Sequence, residues 1–149
     1  MEYPARKKAL QLLERMDRTE KNLSERLIQT GFSPSEVQDA VEYVRSYGYL
    51  NDQRYAENFI RAGLSSKSRT RLMLELSSRG VDRETAEEAW ETVTAEEEYE
   101  EADLVRRAVA KKCPQGIPGD PAELRRLYGY LARRGFSWEV IHQVVSELS

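Results

Sequence analysis

Histidine and cysteine are almost absent from this chain of 149 residues, which has one of each, His142 and Cys113. One residue of each kind cannot form an internal disulfide, a zinc site of the usual composition or a Cys–His nucleophile. The sequence also lacks the glycine-rich motifs that cradle phosphates. We therefore expect no catalytic residue, no metal ligand and no cofactor, and we expect that the protein is not an enzyme.

Long apolar runs are missing as well, since none approaches the roughly 18 residues that a membrane span needs. No apolar stretch follows the first basic residues, as it would in a signal peptide. The lone cysteine favours a reducing compartment. These absences predict a cytoplasmic protein without a membrane partner, and we expect a monomer.

Acidic residues outnumber basic ones, 26 to 23, so the net charge is −3 and the pI is near 5.4. Residues 84–103 hold ten acidic residues and no basic one. A dedicated nucleic-acid-binding domain is usually strongly basic. Any polyanion would therefore have to meet local clusters of basic residues rather than the molecule as a whole.

The chain does have a sequence motif that occurs three times, at residues 27–33, 76–82 and 131–137. Each copy has a leucine, three further residues, a glycine, one apolar residue and then Ser or Asp. The glycines Gly31, Gly80 and Gly135 are 49 and 55 positions apart (80 − 31 and 135 − 80). A regular internal period indicates one supersecondary unit repeated in tandem.

Each repeat has the pattern of three short helices, because glycine and proline stand mainly at boundaries and apolar residues recur at helical spacing. Ser33, Pro34 and Glu36, for example, have the spacing of a capping box with proline at the first helical position. The third unit is predicted to begin with a helix at residues 99–112. The sequence thus predicts an all-α, elongated and curved array of nine helices, in repeats at residues 1–50, 51–95 and 96–149.

Two of the predicted second helices, at residues 68–79 and 120–134, are rich in arginine. If second helices share one surface, as in a solenoid, their arginines form a stripe that could track a phosphate backbone or an acidic protein groove. The alternative is a solvated helix face, on which Arg133 and Arg134 complement the negative end of the helix dipole.

The repeated motif around each glycine also resembles a helix-turn-helix, which would place the third helix of each unit in a DNA groove. The helix after Asp82 carries Glu84, Glu87 and Glu88, which phosphates would repel. A plain packing unit is therefore the favoured interpretation. Direct DNA binding and a helical scaffold for another protein remain the alternatives.

Residues 47–59 carry the most specific motif. Gly48-Tyr49-Leu50-Asn51-Asp52 is followed by Tyr55-Ala56 and, three residues later, by Phe59. This string resembles the signature of the RecX family of recombinase regulators. The similarity continues through Glu75-Leu76 and Arg79-Gly80-Val81. The chain departs from the family at residues 64–71, where many members have a glycine-rich turn.

The resemblance implies a bacterial cytoplasmic protein that modulates the RecA recombinase without chemistry of its own. Members lie in the helical groove of the RecA–DNA filament and commonly inhibit it, which affects recombination, DNA repair and the SOS response. Some members also bind DNA, so single- or double-stranded DNA is a further candidate partner. We expect filament or DNA contacts from Arg61, Lys67, Arg69, Arg71, Arg125, Arg126, Arg133 and Arg134.

Overall fold

The computed structural model describes residues 2–96 and 100–149, and within these residues the chain forms nine helices and no strand. The helices are α1 (Pro4–Arg15), α2 (Glu20–Thr30), α3 (Pro34–Ser46), α4 (Asp52–Gly63), α5 (Arg69–Ser78), α6 (Arg83–Glu96), α7 (Glu101–Lys112), α8 (Pro121–Arg133) and α9 (Trp138–Leu148). The all-α fold of tandem three-helix units is thereby confirmed. The predicted start of the seventh helix at Tyr99 lies outside the described residues, and α7 begins at Glu101.

Local capping signals define where several helices begin. Ser33 Oγ accepts a hydrogen bond from the Glu36 amide, and Glu36 Oε1 accepts one from the Ser33 amide, so the predicted capping box is formed. The hydrogen bond from the Ser33 backbone, and then the one with its side chain, lowers the pKa of Glu36. At α4 the cap is Asn51, whose side chain accepts from the Arg54 amide.

Each unit encloses its own apolar core, formed mainly by its first and third helices with the second helix packed across them. The second helix contributes a pair of leucines one turn apart, because residues four apart lie on the same helix face. All six of these side chains are completely or almost completely buried: Leu23, Leu27, Leu72, Leu76, Leu127 and Leu131. The repeated leucine before each glycine is therefore a core residue. The repeat boundaries at residues 50/51 and 95/96 stay a prediction.

Polar contacts between the ends of the second helices join consecutive units. Thr19 Oγ1, at the start of α2, donates to the Arg79 carbonyl at the end of α5 (2.8 Å). Ser68 Oγ, at the start of α5, donates to the Arg134 carbonyl at the end of α8 (2.9 Å). The two hydroxyls also cap their own helices, and both residues are buried. The positive end of one helix thus meets the negative end of the next, which is the favourable arrangement of helix dipoles.

The repeated glycines have unequal surroundings at these joints. Gly31, Gly80 and Gly135 all end their helices with positive φ (109°, 93° and 90°), the left-handed conformation that favours glycine. A Cβ at Gly135 would lie 2.5 Å from Ser68 Oγ, whereas one at Gly31 would meet nothing within 4 Å. Gly31 is therefore needed only for the helix-ending turn, whereas Gly135 also allows two repeats to approach each other closely.

Within the first unit, α1 and α3 are linked by a two-bonded ion pair. Arg6 Nε and Nη2 each donate to a carboxylate oxygen of Asp39 at 2.8 Å. The guanidinium also lies over the rings of Tyr3 and Tyr43, 3.9 and 4.5 Å from their centroids. The hydrogen bonds from Arg6 lower the pKa of Asp39 from its ordinary value of 3.8.

We expect Asp39→Asn to destabilise the protein near neutral pH and to match the original chain in strong acid. Because the folded pKa of Asp39 is depressed, the pair stabilises the fold fully above pH 3.8 and loses its contribution as the pH falls through the folded pKa. Urea unfolding at a series of pH values measures this difference. Glu91→Gln, at an exposed position that forms no ion pair with any described residue, is the control. A constant offset at every pH would contradict the prediction.

Candidate functional site

Four of the predicted arginines come together where the second repeat meets the third. Arg69 and Arg71 lie in the first turn of α5, and Arg133 and Arg134 lie at the end of α8. The bond from Ser68 to the Arg134 carbonyl brings these two helix ends into contact. We call Arg69, Arg71, Arg133 and Arg134 the joint cluster. The sequence predicts that these two helices share one surface, and the structure places their ends in contact.

Arg125 and Arg126 extend this positive surface along α8, and both are exposed. Arg126 precedes Arg133 by seven residues (133 − 126), which is two helical turns or about 10 Å along the axis. Residues seven apart lie on nearly the same face of a helix. A line of positive charge therefore runs along α8 to the joint cluster.

Arg61 and Lys67 belong to a different environment, because each is neutralised within the second repeat. Arg61, near the end of α4, pairs with Glu57 at 3.6 Å and with Glu96 at 3.0 Å. Lys67 Nζ lies 2.8 Å from a carboxylate oxygen of Glu75. These two cations are less available to an outside partner than the sequence suggested.

Glu75 also connects the joint cluster to Lys67, since Arg71 Nε lies 3.3 Å from its second oxygen. The hydrogen bond from Lys67, and then the one from Arg71, lowers the pKa of Glu75. The other five predicted site residues form no ion pair with any described carboxylate: Arg69, Arg125, Arg126, Arg133 and Arg134. Unpaired guanidinium groups in one region can bind the oxyanions of phosphates or carboxylates.

Aromatic rings support two of these guanidinium groups. The Arg134 guanidinium lies 4.8 Å from the centroid of Tyr130, and Lys112 approaches the same ring at 4.9 Å. Arg69 lies 5.6 Å from the centroid of Trp90. Such contacts hold a cation in place without neutralising it.

An apolar groove next to Arg69 was not predicted from the sequence. It lies between α5 and α6 and has a volume of about 350 Å³. Met73, Leu74 and Val81 form its apolar part, and Arg83 and Glu87 also line it. Leu74 is 64% exposed. The available signal was its position, because a leucine between Leu72 and Leu76 falls off the buried face of α5. An exposed apolar groove is typical of a protein-binding surface.

His142 and Cys113 form no hydrogen bond with each other in the described part of the chain. His142 is exposed, and its Nδ1 lies 3.3 Å from Tyr128 Oη. Cys113 is a half-buried free thiol. Among the described residues, no three His, Cys, Asp or Glu side chains are placed to hold a metal ion. No described helix is long and apolar enough to cross a membrane.

Comparison with solved structures identifies the fold. The crystal structure of RecX from Lactobacillus salivarius superposes with a TM-score of 0.75 at 20% identity, over 97% of this chain and 94% of that one. A crystal structure titled regulatory protein RecX gives a TM-score of 0.78 at 18% identity, over 95% of this chain and 70% of the other. At such identities the likeness establishes the architecture alone.

Comparison of sequences establishes the family. The models of the first, second and third three-helix domains of RecX match residues 5–43, 51–89 and 98–145. Regulatory protein RecX of Trichlorobacter lovleyi is 40% identical over 140 residues, which cover 91% of this chain and 90% of that protein. Its counterpart in Syntrophotalea carbinolica is 34% identical over 143 residues, covering 93% and 92%. With three matching domains in order and relatives of this similarity, the chain belongs to the RecX family of regulatory proteins.

Proposed function

We propose that this protein inhibits the RecA recombinase by lying in the groove of the RecA–DNA filament in the cytoplasm. Its action would lie in occupying the filament, without chemistry, and would thereby restrain recombination, DNA repair and the SOS response. The observation that carries the proposal is the joint cluster with Arg125 and Arg126, whose charges are mostly unpaired, beside an apolar groove.

A filament of protein and nucleic acid suits this surface better than bare DNA does. The net charge of the chain is −3, which opposes association with a uniform polyanion. The third helix of the second repeat, α6, also exposes Glu84, Glu88 and Glu91, which a DNA groove would repel. The groove that contains Leu74 offers apolar contacts, which a protein partner could bury and a phosphate backbone could not. Arginine and apolar side chains together are typical of the centres of protein interfaces.

The test is RecA-dependent ATP hydrolysis on single-stranded DNA, titrated with this protein at physiological salt. Binding to the same DNA without RecA is measured in parallel. We expect hydrolysis to be suppressed when this protein is present in fewer copies than RecA, because one bound copy would contact several protomers in the groove. Binding to bare DNA is expected to be weak and to fall steeply with salt.

Two outcomes would contradict the proposal. Unchanged hydrolysis together with tight binding to bare DNA would make the repeat a nucleic-acid-binding module in its own right. Suppression that tracks coverage of the bare DNA would indicate competition for the strand, with no role for the filament groove.

A further inference from the structure

Arg18, between α1 and α2, is a buried cation without an anionic partner. It is 9% exposed. Its Nε donates to the Leu12 carbonyl at 3.1 Å, and its Nη1 donates to Asn22 Oδ1 at 2.8 Å. Both acceptors are neutral, and no described carboxylate forms an ion pair with this guanidinium. A buried charge is costly unless an opposite charge accompanies it.

In the second repeat the cation at the same position has a counter-ion within the chain. Lys67 precedes Gly80 by 13 residues (80 − 67), as Arg18 precedes Gly31 (31 − 18). The counter-ion of Lys67 is Glu75, at 2.8 Å and five residues before its glycine.

In the first repeat the position equivalent to Glu75, five residues before Gly31, holds Arg26, a second cation (31 − 26). Burial, and then the charges of Arg26 and Arg15, lowers the pKa of Arg18. Positive charge therefore lies where the second repeat has a carboxylate, and no described side chain supplies an opposite charge to Arg18. An anion from outside the chain would supply it.

A pocket of about 240 Å³ opens at this point, between the first and second repeats. Its lining includes Arg18, Lys21 and Asn22 from the first repeat and Arg79 from the end of α5. Arg79 Nη1 donates to Tyr55 Oη at 2.7 Å. Neither Lys21 nor Arg79 forms an ion pair with a described carboxylate.

Two carboxylates, Asp17 and Glu25, also line the pocket, and neither forms an ion pair with its cations. Three cations against two carboxylates leave the lining positive, and Arg15 and Arg26 close by add to that charge. The pocket is large enough for one phosphate group and its water.

We infer that this pocket binds a phosphate group, which supplies the counter-ion of Arg18 and links the two repeats through Lys21 and Arg79. A phosphate presents several acceptor oxygens, and arginine donors bind such oxyanions in charge-assisted hydrogen bonds. Free inorganic phosphate and a nucleic-acid phosphate share this chemistry. The inference does not depend on the proposed action on RecA, and its test contains no RecA.

Inorganic phosphate is the probe, titrated at constant ionic strength against chloride while side-chain and backbone resonances are followed by NMR. The key variant is Arg26→Glu, which places a carboxylate where the second repeat has Glu75. Arg107→Glu, at an exposed position in the third repeat that pairs with no described carboxylate, is the matched control for charge. Arg18 itself is kept, because it also holds the Leu12 carbonyl at the end of α1.

We expect saturable shifts at Arg18, Asn22 and Arg79, and a phosphate-dependent rise in Tm, because a ligand that binds only the folded state stabilises it. Arg26→Glu should weaken phosphate binding by about tenfold or more, while Arg107→Glu should not, since only the former supplies an internal counter-ion. Single-stranded DNA is then titrated in chloride. The same shifts would identify a nucleic-acid phosphate as the source, and their absence would leave the free anion.

The inference is overturned if phosphate produces no shifts at the pocket or if chloride produces the same ones. It is equally overturned if Arg26→Glu binds phosphate as the original chain does. Failure of the RecA assay would not affect any of these results.

Discussion

Gly135→Ala is expected to lower the free energy of unfolding by about 3 kcal/mol, and Gly31→Ala by only about 1 kcal/mol. Both positions have positive φ, so both substitutions impose the strain of a left-handed alanine. At Gly135 the added methyl group would also stand 2.5 Å from Ser68 Oγ and 3.4 Å from the Arg71 nitrogen. The bond from Ser68 to the Arg134 carbonyl would then break, which leaves a buried hydroxyl without its acceptor.

Urea unfolding followed by circular dichroism measures both variants, since all three repeats are helical. Gly31→Ala is the matched control for Gly135→Ala, because it makes the same substitution at a glycine with open space around it. Equal destabilisation at Gly31 and Gly135 would show that the close approach between the repeats does not matter to stability. Combining Gly135→Ala with Ser68→Ala should cost less than the sum of the two, because both disrupt one contact.

The repeat architecture could be predicted from sequence because its signals are local. The capping box of Ser33 and Glu36, and a leucine four residues before each glycine, specify helix ends and buried faces within a few residues. The joints could not be predicted, because Thr19 and Ser68 look like ordinary N-caps. A hydroxyl can accept from its own helix and donate elsewhere, and only the folded chain shows where it donates.

The candidate site divides in the same way. Arg71 and Glu75 are four residues apart on one helix, so their pairing could be foreseen. Arg61 and Glu96 lie 35 residues apart in sequence and meet only because α4 packs against α6. Availability of a cation to a partner depends on such pairings, and the filament or DNA contacts of Arg61 and Lys67 stay a prediction. The absence of a counter-ion at Arg18 was equally invisible before its burial was known.

Arg125→Glu combined with Arg126→Glu is expected to weaken binding to the RecA filament by on the order of tenfold to a hundredfold. Both arginines are exposed and form no described ion pair, so their reversal leaves the internal contacts of α8 intact. Arg71 is a poorer choice, because a glutamate there would face Glu75 and Lys67 would lose part of its network. The loss of affinity should grow as salt is lowered, because screening of exposed charges then decreases.

Fluorescence anisotropy of labelled protein on preformed RecA–single-stranded DNA filaments measures the affinity, and circular dichroism checks that helicity is unchanged. The control is Lys7→Glu combined with Arg107→Glu, which makes the same change in net charge at exposed positions of α1 and α7. If the partner responds only to total charge, the two double variants will bind equally, and the line of arginines along α8 will have no special role. A loss confined to Arg125 and Arg126 would instead locate the contact on α8.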